Sequence, residues 1–174
     1  MTRFRVDSEP DRIAGWHVKQ KRIVAMEIDV GVSAILQLKG KEVFSVTPET
    51  TVFEAIQQMA DRNVGALVVL SEGRVVGILS ERDYTRKVAL HGKSSKETKV
   101  EELLSTPVIS ATPEASVEDC MRLMTTYRVR HLPILDGNNL LGVVSIGDLV
   151  NWIISAQSTT ITQLQNYIAG QYPG

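Results

Sequence analysis

The chain spells the same string of residue types twice. Thr47-Pro48-Glu49 returns as Thr112-Pro113-Glu114, and an offset of 65 then runs without a gap to Asp83 and Asp148. In that register Val52 meets Val117, Met59 meets Met124, Val64 meets Val129, Leu67 meets Leu132, Gly77 meets Gly142 and Ser80 meets Ser145. A unit of this length buries too little apolar surface to stand alone, so the copies are expected to pack on each other and enclose a cleft. That cleft is the place to look for function.

Within the first copy, Val43 to Val46 is a short β-branched and aromatic run stopped by Thr47-Pro48. Thr51 and Glu54 have the spacing of a capping box, and Val52, Ala55, Ile56 and Met59 mark one helix face. The second copy answers with Ser116 and Asp119, then Val117, Cys120, Met121 and Met124. Ala66 to Leu70 and Val75 to Leu79 flank the turn Ser71-Glu72-Gly73, which reads as a buried hairpin; Leu132 to Leu135 and Leu140 to Val144 repeat it. Each copy closes with Ser-x-x-Asp and a second helix. The order β-α-β-β-α, twice, predicts an α/β (α+β) fold with pseudo-two-fold symmetry.

The same offset pairs Lys39–Glu42 with Leu104–Pro107 ahead of each first strand. The expected organisation is an N-terminal arm over 1–32, a first repeat over 33–92, a linker over 93–99, a second repeat over 100–155, and a C-terminal helix and tail over 156–174. Over Val150 to Ile168, Trp152, Ile153, Ile161, Leu164 and Ile168 recur at helical intervals, suiting a helix packed on the module or on a second subunit. The arm mixes Arg3, Arg5, Arg12, Lys19, Lys21 and Arg22 with Asp7, Glu9 and Asp11, unlike an acid-poor transit peptide or an apolar signal sequence.

Composition narrows the class. A formal charge of -1 argues against a general nucleic-acid binder. No apolar run reaches the roughly 18 residues of a membrane span. Cys120 is the sole cysteine, so no internal disulfide forms, and a reducing cytoplasmic compartment is expected. Its alignment with Ala55 makes it a small core residue rather than a reactive thiol, and Met59, Met121 and Met124 read as core too. There is no P-loop, nucleophile elbow or metal-ligand spacing, so an enzyme is not expected. His17 and His91 show no ligand spacing to His131.

Two strings could carry chemistry. Gly77-Ile78-Leu79-Ser80-Glu81-Arg82-Asp83 and Gly142-Val143-Val144-Ser145-Ile146-Gly147-Asp148 each bring a serine from a buried strand to a helix start, where N–H groups favour an anion. The aspartate can serve as a cap, or its two acceptor oxygens can bind a vicinal diol such as ribose. Arg128-Val129-Arg130-His131-Leu132-Pro133 enters the second hairpin where the first copy has Asn63-Val64-Gly65-Ala66-Leu67-Val68. Arg130 and His131 either lie at the surface or face a polar cleft holding an anion.

From about Leu36 to Ile154, Thr47-Pro48, Thr112-Pro113, the Arg-His-Leu-Pro stretch at 130–133 and both closing Gly-to-Asp strings make the chain resemble a tandem pair of CBS domains, the cystathionine-β-synthase-type module. Ser80-Glu81-Arg82-Asp83-Tyr84 with Ser145-Ile146-Gly147-Asp148 is similar to small stand-alone two-CBS proteins of bacteria and plant organelles. The resemblance implies a regulatory sensor of AMP, ATP, NAD(H) or S-adenosylmethionine, with no catalytic cofactor, that forms a homodimer and signals to an effector protein. It implies ribose contacts from Asp83 and Asp148, with Ser80 and Ser145 near the phosphates. For the Asp148 site it points to Val43, Phe44, Val64, Gly65 and Ala66, with Arg130 and His131 near phosphate. For the Asp83 site it points to Thr106, Val108 and Ile109, with Arg82 as a phosphate contact. Gly65-Ala66 against Arg130-His131 makes the two sites unequal. The alternative function is an interaction module with a vestigial pocket, for example one modulating a redox partner.

Overall fold

The structure is a computed structural model that describes residues 31–40 and 42–168, with only the backbone of residues 157 and 159–168. The arm, and the side chains of Ile161, Leu164 and Ile168, lie outside the described residues. Helix α1 (Val32–Lys39) leads into β1 (Ser45–Val46), α2 (Val52–Arg62), β2 (Ala66–Ser71) and β3 (Arg74–Ser80). The second copy comprises α4 (Val117–Tyr127), β4 (His131–Asp136), β5 (Asn139–Ser145) and α5 (Ile146–Ile168). Between the copies, α3 (Glu81–Asp83) continues as a π-helical stretch (Tyr84–Val88) and a 3-10 turn (Ala89–His91), and a second 3-10 turn spans Val100–Leu103.

The repeated sequence produces repeated structure. Thr51 accepts a bond from Glu54 N–H while the Glu54 carboxylate takes Thr51 N–H, and Ser116 and Asp119 do the same, so both capping boxes form. Both helices end on a left-handed residue, Asn63 at φ 53° and Arg128 at φ 55°. Both hairpins shift register at the same place, between Val69 and Leu70 and between Ile134 and Leu135. The expected first strand is shorter than Val43 to Val46: only Ser45–Val46 runs parallel to β2, and in the second copy a single parallel bridge from Ala111 to Ile134 remains. Thr-Pro ends both segments, because proline offers no ladder donor.

The closing helices diverge. Gly92 at φ 63° ends the first, whereas no glycine or proline interrupts the chain between Asp148 and Ile168. The expected second helix and C-terminal helix are therefore one 23-residue element. Trp152 and Ile153 pack on the second core. Among the described residues no helix is long and apolar enough to cross a membrane.

The cores show what the offset of 65 conceals. Val32, Ile35 and Leu36 of α1, which precede the first copy, are buried with Val117, Cys120, Met124, Leu132, Ile134, Val144 and Leu149 of the second. Val100 and Leu103, which precede the second copy, are buried with Val52, Ala55, Met59, Leu67, Val69 and Leu79 of the first. Backbone bonds follow the same exchange: Val32 N–H to Ala115 O at 2.8 Å and Ser33 N–H to Pro113 O at 3.1 Å, mirrored by Val100 N–H to Thr50 O at 2.9 Å and Glu101 N–H to Pro48 O at 3.0 Å. These leaders correspond at a spacing of 68, as from Val32 to Val100. The pairing of Lys39 with Leu104 is thus replaced by that of Leu36 with Leu104, and the first copy has three more residues between its leader and its strand.

Gly77 and Gly142 let the crossed leaders approach. A Cβ at Gly77 would lie 2.6 Å from Leu104 Cδ2, and one at Gly142 2.7 Å from Leu36 Cδ2. Gly142→Ala is expected to cost about 1–3 kcal/mol by overpacking. Combining it with Leu36→Ala gives less destabilisation in urea titration than the two single changes added together. Full additivity would contradict this packing.

Candidate functional site

Two cavities open between the copies, one on each side of the pseudo-two-fold. The first, about 490 Å³, is lined by Ser80, Arg82 and Asp83 at the first helix start, by 105–109 of the second leader, and by 127–131 at the entry to β4. The second, about 460 Å³, is lined by Val43 and Phe44, by 62–68 at the entry to β2, and by Lys39, His131 and Ser145. Both volumes suit a small organic ligand.

Most of the residues expected for each site come together. Ser80, Arg82, Asp83, Thr106, Val108 and Ile109 share the first cavity. Val43, Phe44, Val64, Gly65, Ala66 and Ser145 share the second. Arg130 differs from expectation: it lines the Asp83 cavity, while His131 lines both. Symmetry requires this. Gly65 faces the second cavity, so its counterpart Arg130 faces the first. His131 spans both because its ring lies over Gly65, where a Cβ would come within 3.8 Å of Cε1.

Of the two alternatives open for the helix starts, the structure shows the cap. Glu81 N–H donates to Gly65 O at 3.2 Å and Ile146 N–H to Arg130 O at 3.0 Å, so the first helical donor is spent on the hairpin entry of its own copy. The third goes to the serine: Asp83 N–H to Ser80 Oγ at 3.3 Å and Asp148 N–H to Ser145 Oγ at 3.2 Å. The carboxylates return the bond, Asp83 Oδ2 taking Ser80 N–H at 3.1 Å and Ser80 Oγ at 2.6 Å. Both Ser-x-x-Asp strings are capping boxes.

Positive charge therefore comes from side chains. Arg82, Arg86, Lys87, Arg128 and Arg130 line the first cavity beside the single carboxylate of Asp83. Arg82 Nη1 is steered by Arg128 O at 3.3 Å, and Lys87 Nζ lies 3.2 Å from Asp83 Oδ1. Arg128 holds its left-handed φ without the ease of asparagine, at a cost of about 1–2 kcal/mol. Sequence reasoning missed Arg86 and Lys87, although they stand one turn beyond Asp83. It missed Arg128 because the left-handed helix end that re-aims it is not encoded locally.

In the second cavity the carboxylate on the wall is Glu42 rather than the helix-start aspartate. Asp148 is absent from the wall, where Lys39 stands instead, 2.6 Å from Asp148 Oδ2. Burial pushes the Asp148 carboxyl up, but the Lys39 ammonium and the Ser145 N–H and hydroxyl outweigh it and leave it below the usual range. Arg62 stacks over Phe44, 5.1 Å from the ring centroid. Among the described residues no cluster of ligating side chains could hold a metal ion. Cys120 is buried, and desolvation pushes its thiol up to about 11, as befits a core residue.

Burial, then the nearby Arg130 and Lys39 charges, holds His131 below the ordinary imidazole value of 6.5, against the pull of Asp148 and Asp83. A base with a lowered folded pKa stabilises fully while neutral, above 6.5, and loses that contribution as pH falls through its folded value. Stability of the parent is expected to fall more steeply than that of His131→Gln on the acid side of 6.5, measured by urea titration across pH. Parallel profiles would contradict this.

Comparison with known proteins identifies the frame. The CBS domain family model matches residues 35–90 and 100–155. The mitochondrial CBS domain-containing protein CBSX3 of Arabidopsis thaliana is 38% identical over 150 residues, covering 81% of this chain and 73% of its own. The CBS domain-containing protein YhcV of Bacillus subtilis is 35% identical over 138 residues, covering 79% and 91%. Among solved structures, a putative signal-transduction protein with CBS domains from Burkholderia ambifaria superimposes with a TM-score of 0.69 at 44% identity, covering 72% of this chain and 95% of that one. With the family model matching both copies and the superposition spanning them, the chain belongs to the CBS domain family as a regulatory module.

Proposed function

We propose that this protein is a sensor of adenosine phosphates, taking its ligand in the Asp83 cavity and passing the change to a partner protein. The observation that carries the reading is the wall itself, with five cationic side chains around one carboxylate. Charge-assisted bonds from arginine suit phosphate oxygens, and Asp83 at the helix start is the acceptor for a ribose diol. The apolar segment Pro107-Val108-Ile109 offers a surface for a base. Such a wall favours ATP, ADP or NAD(H) over S-adenosylmethionine, whose sulfonium adds a positive charge.

Output requires a geometry that the ligand can bias. The first cavity is bounded by the first copy's helix start, the second copy's leader and the second copy's hairpin entry, so a ligand there bridges both repeats. Its effect on their relative position is the signal. Ile146, Val150 and Ile154, exposed at helical intervals along α5, supply an apolar stripe that supports pairing of two copies.

A thermal-shift panel of AMP, ADP, ATP, NAD⁺, NADH and S-adenosylmethionine tests the reading. A ligand at a hundred times its Kd stabilises by about 2.7 kcal/mol. The phosphate-rich ligands should shift the melting temperature most. Arg130→Ala, at an exposed position, should weaken ATP binding about tenfold, which corresponds to about 1.4 kcal/mol. Asp83→Ala, compared with its own unliganded baseline, should lose the shift. No shift with any adenine nucleotide would favour a docking module with an unused pocket.

A further inference from the structure

The pseudo-two-fold relates many residues around one cavity to residues around the other, and among the exceptions is a lysine. By the spacing of 68 that relates the leaders, Lys39 corresponds to Pro107, which lines the Asp83 cavity and brings no charge. The added residues between the first leader and its strand accompany an α1 that extends to Lys39, at the mouth of the second cavity. There Nζ lies 2.6 Å from Asp148 Oδ2 and 3.3 Å from Val143 O. The same Oδ2 already accepts Ser145 N–H at 2.7 Å and Ser145 Oγ at 2.8 Å. Lys87 treats Asp83 otherwise. It is anchored on Leu103 O and Ser105 Oγ and approaches Oδ1, leaving the carboxylate on the cavity wall.

We propose that Lys39 decides which cavity is used, by holding Asp148 off the wall of the second, so that each chain takes one adenosine ligand, at Asp83. A diol needs a carboxylate whose lone pairs face it, and at Asp148 the ammonium stands on the cavity side in its place. Lys39 and the Ser145 cap converge on Asp148 Oδ2, so a ligand reaches that oxygen only by separating a charged pair at hydrogen-bond distance. The second cavity therefore differs in ligand preference although its frame is a copy of the first. Lys39 is a specificity-determining residue that acts through Asp148. This inference rests on the adenosine reading of the Asp83 cavity, and its test separates the two.

Isothermal titration with ATP measures the number of ligands per chain in the parent, Lys39→Met and Lys39→Arg, each also with Asp83→Ala. The Lys39 side chain is 42% exposed, and methionine keeps its length without the charge, so the fold is expected to persist, as checked by circular dichroism. The parent should bind one ATP and Lys39→Met two, while Lys39→Arg stays at one. Asp83→Ala should bind none, and Lys39→Met with Asp83→Ala should bind one. Two ligands on the parent, or one on Lys39→Met with the parent's affinity, would overturn the role of Lys39 and leave the adenosine reading standing. ATP binding by Lys39→Met but not by the parent would support Lys39 and overturn the Asp83 assignment. No binding by either protein would overturn both.

Discussion

Each repeat is completed by the segment that precedes the other. Val32, Ile35 and Leu36 enter the second core, and Val100 and Leu103 enter the first. Burial of each such side chain is worth on the order of 1.5–3 kcal/mol, and the backbone bonds that guide the two leaders past Pro113 and Pro48 are near copies of each other. Neither core is whole without the crossing. The rest of the architecture depends on it, because crossed leaders force the two hairpins together and set Leu104 and Leu36 against glycines that have no room for a Cβ.

The cavities follow from the same crossing. Each is walled by one copy's helix start and the other copy's hairpin entry, so a ligand in either touches both repeats. Their chemistry is unequal because small sequence differences fall at matched positions. Where the first copy presents Gly65 to one cavity, the second presents Arg130 to the other. His131 crosses between them over the space that Gly65 leaves. One wall gathers guanidinium groups around Asp83, and beside the other Asp148 is paired with Lys39. A duplicated frame thus supports one strongly cationic site rather than two equivalent ones.

Much of this was legible in advance. The capping boxes at Thr51 and Ser116, the hairpins and the core placement of Cys120, Met59 and Met124 follow from local spacing and the repeat, while the grouping of Asp83 with Thr106, Val108 and Ile109 came from the resemblance to tandem CBS domains. What failed depends on contacts between the copies. Arg130 was expected beside Asp148, yet strand entry and symmetry carry it to the opposite cavity. The spacing left the helix starts open between a cap and an anion cradle, and Gly65 O, Arg130 O and the serine hydroxyls take N–H groups there as the cap requires. Lys39 was aligned with Leu104, because a gap-free offset cannot register three residues added outside the repeated string.

By itself the sequence determined the units: two β-α-β-β-α copies, their caps, their turns and the apolar faces that must be covered, since each arises from neighbours a few residues apart. Only the tertiary structure decided which leader covers which core, which cavity receives Arg130 and which aspartate remains on a wall. Those outcomes rest on pairs such as Leu36 with Gly142 and Lys39 with Asp148, whose partners are far apart along the chain and meet only when both hairpins are in place.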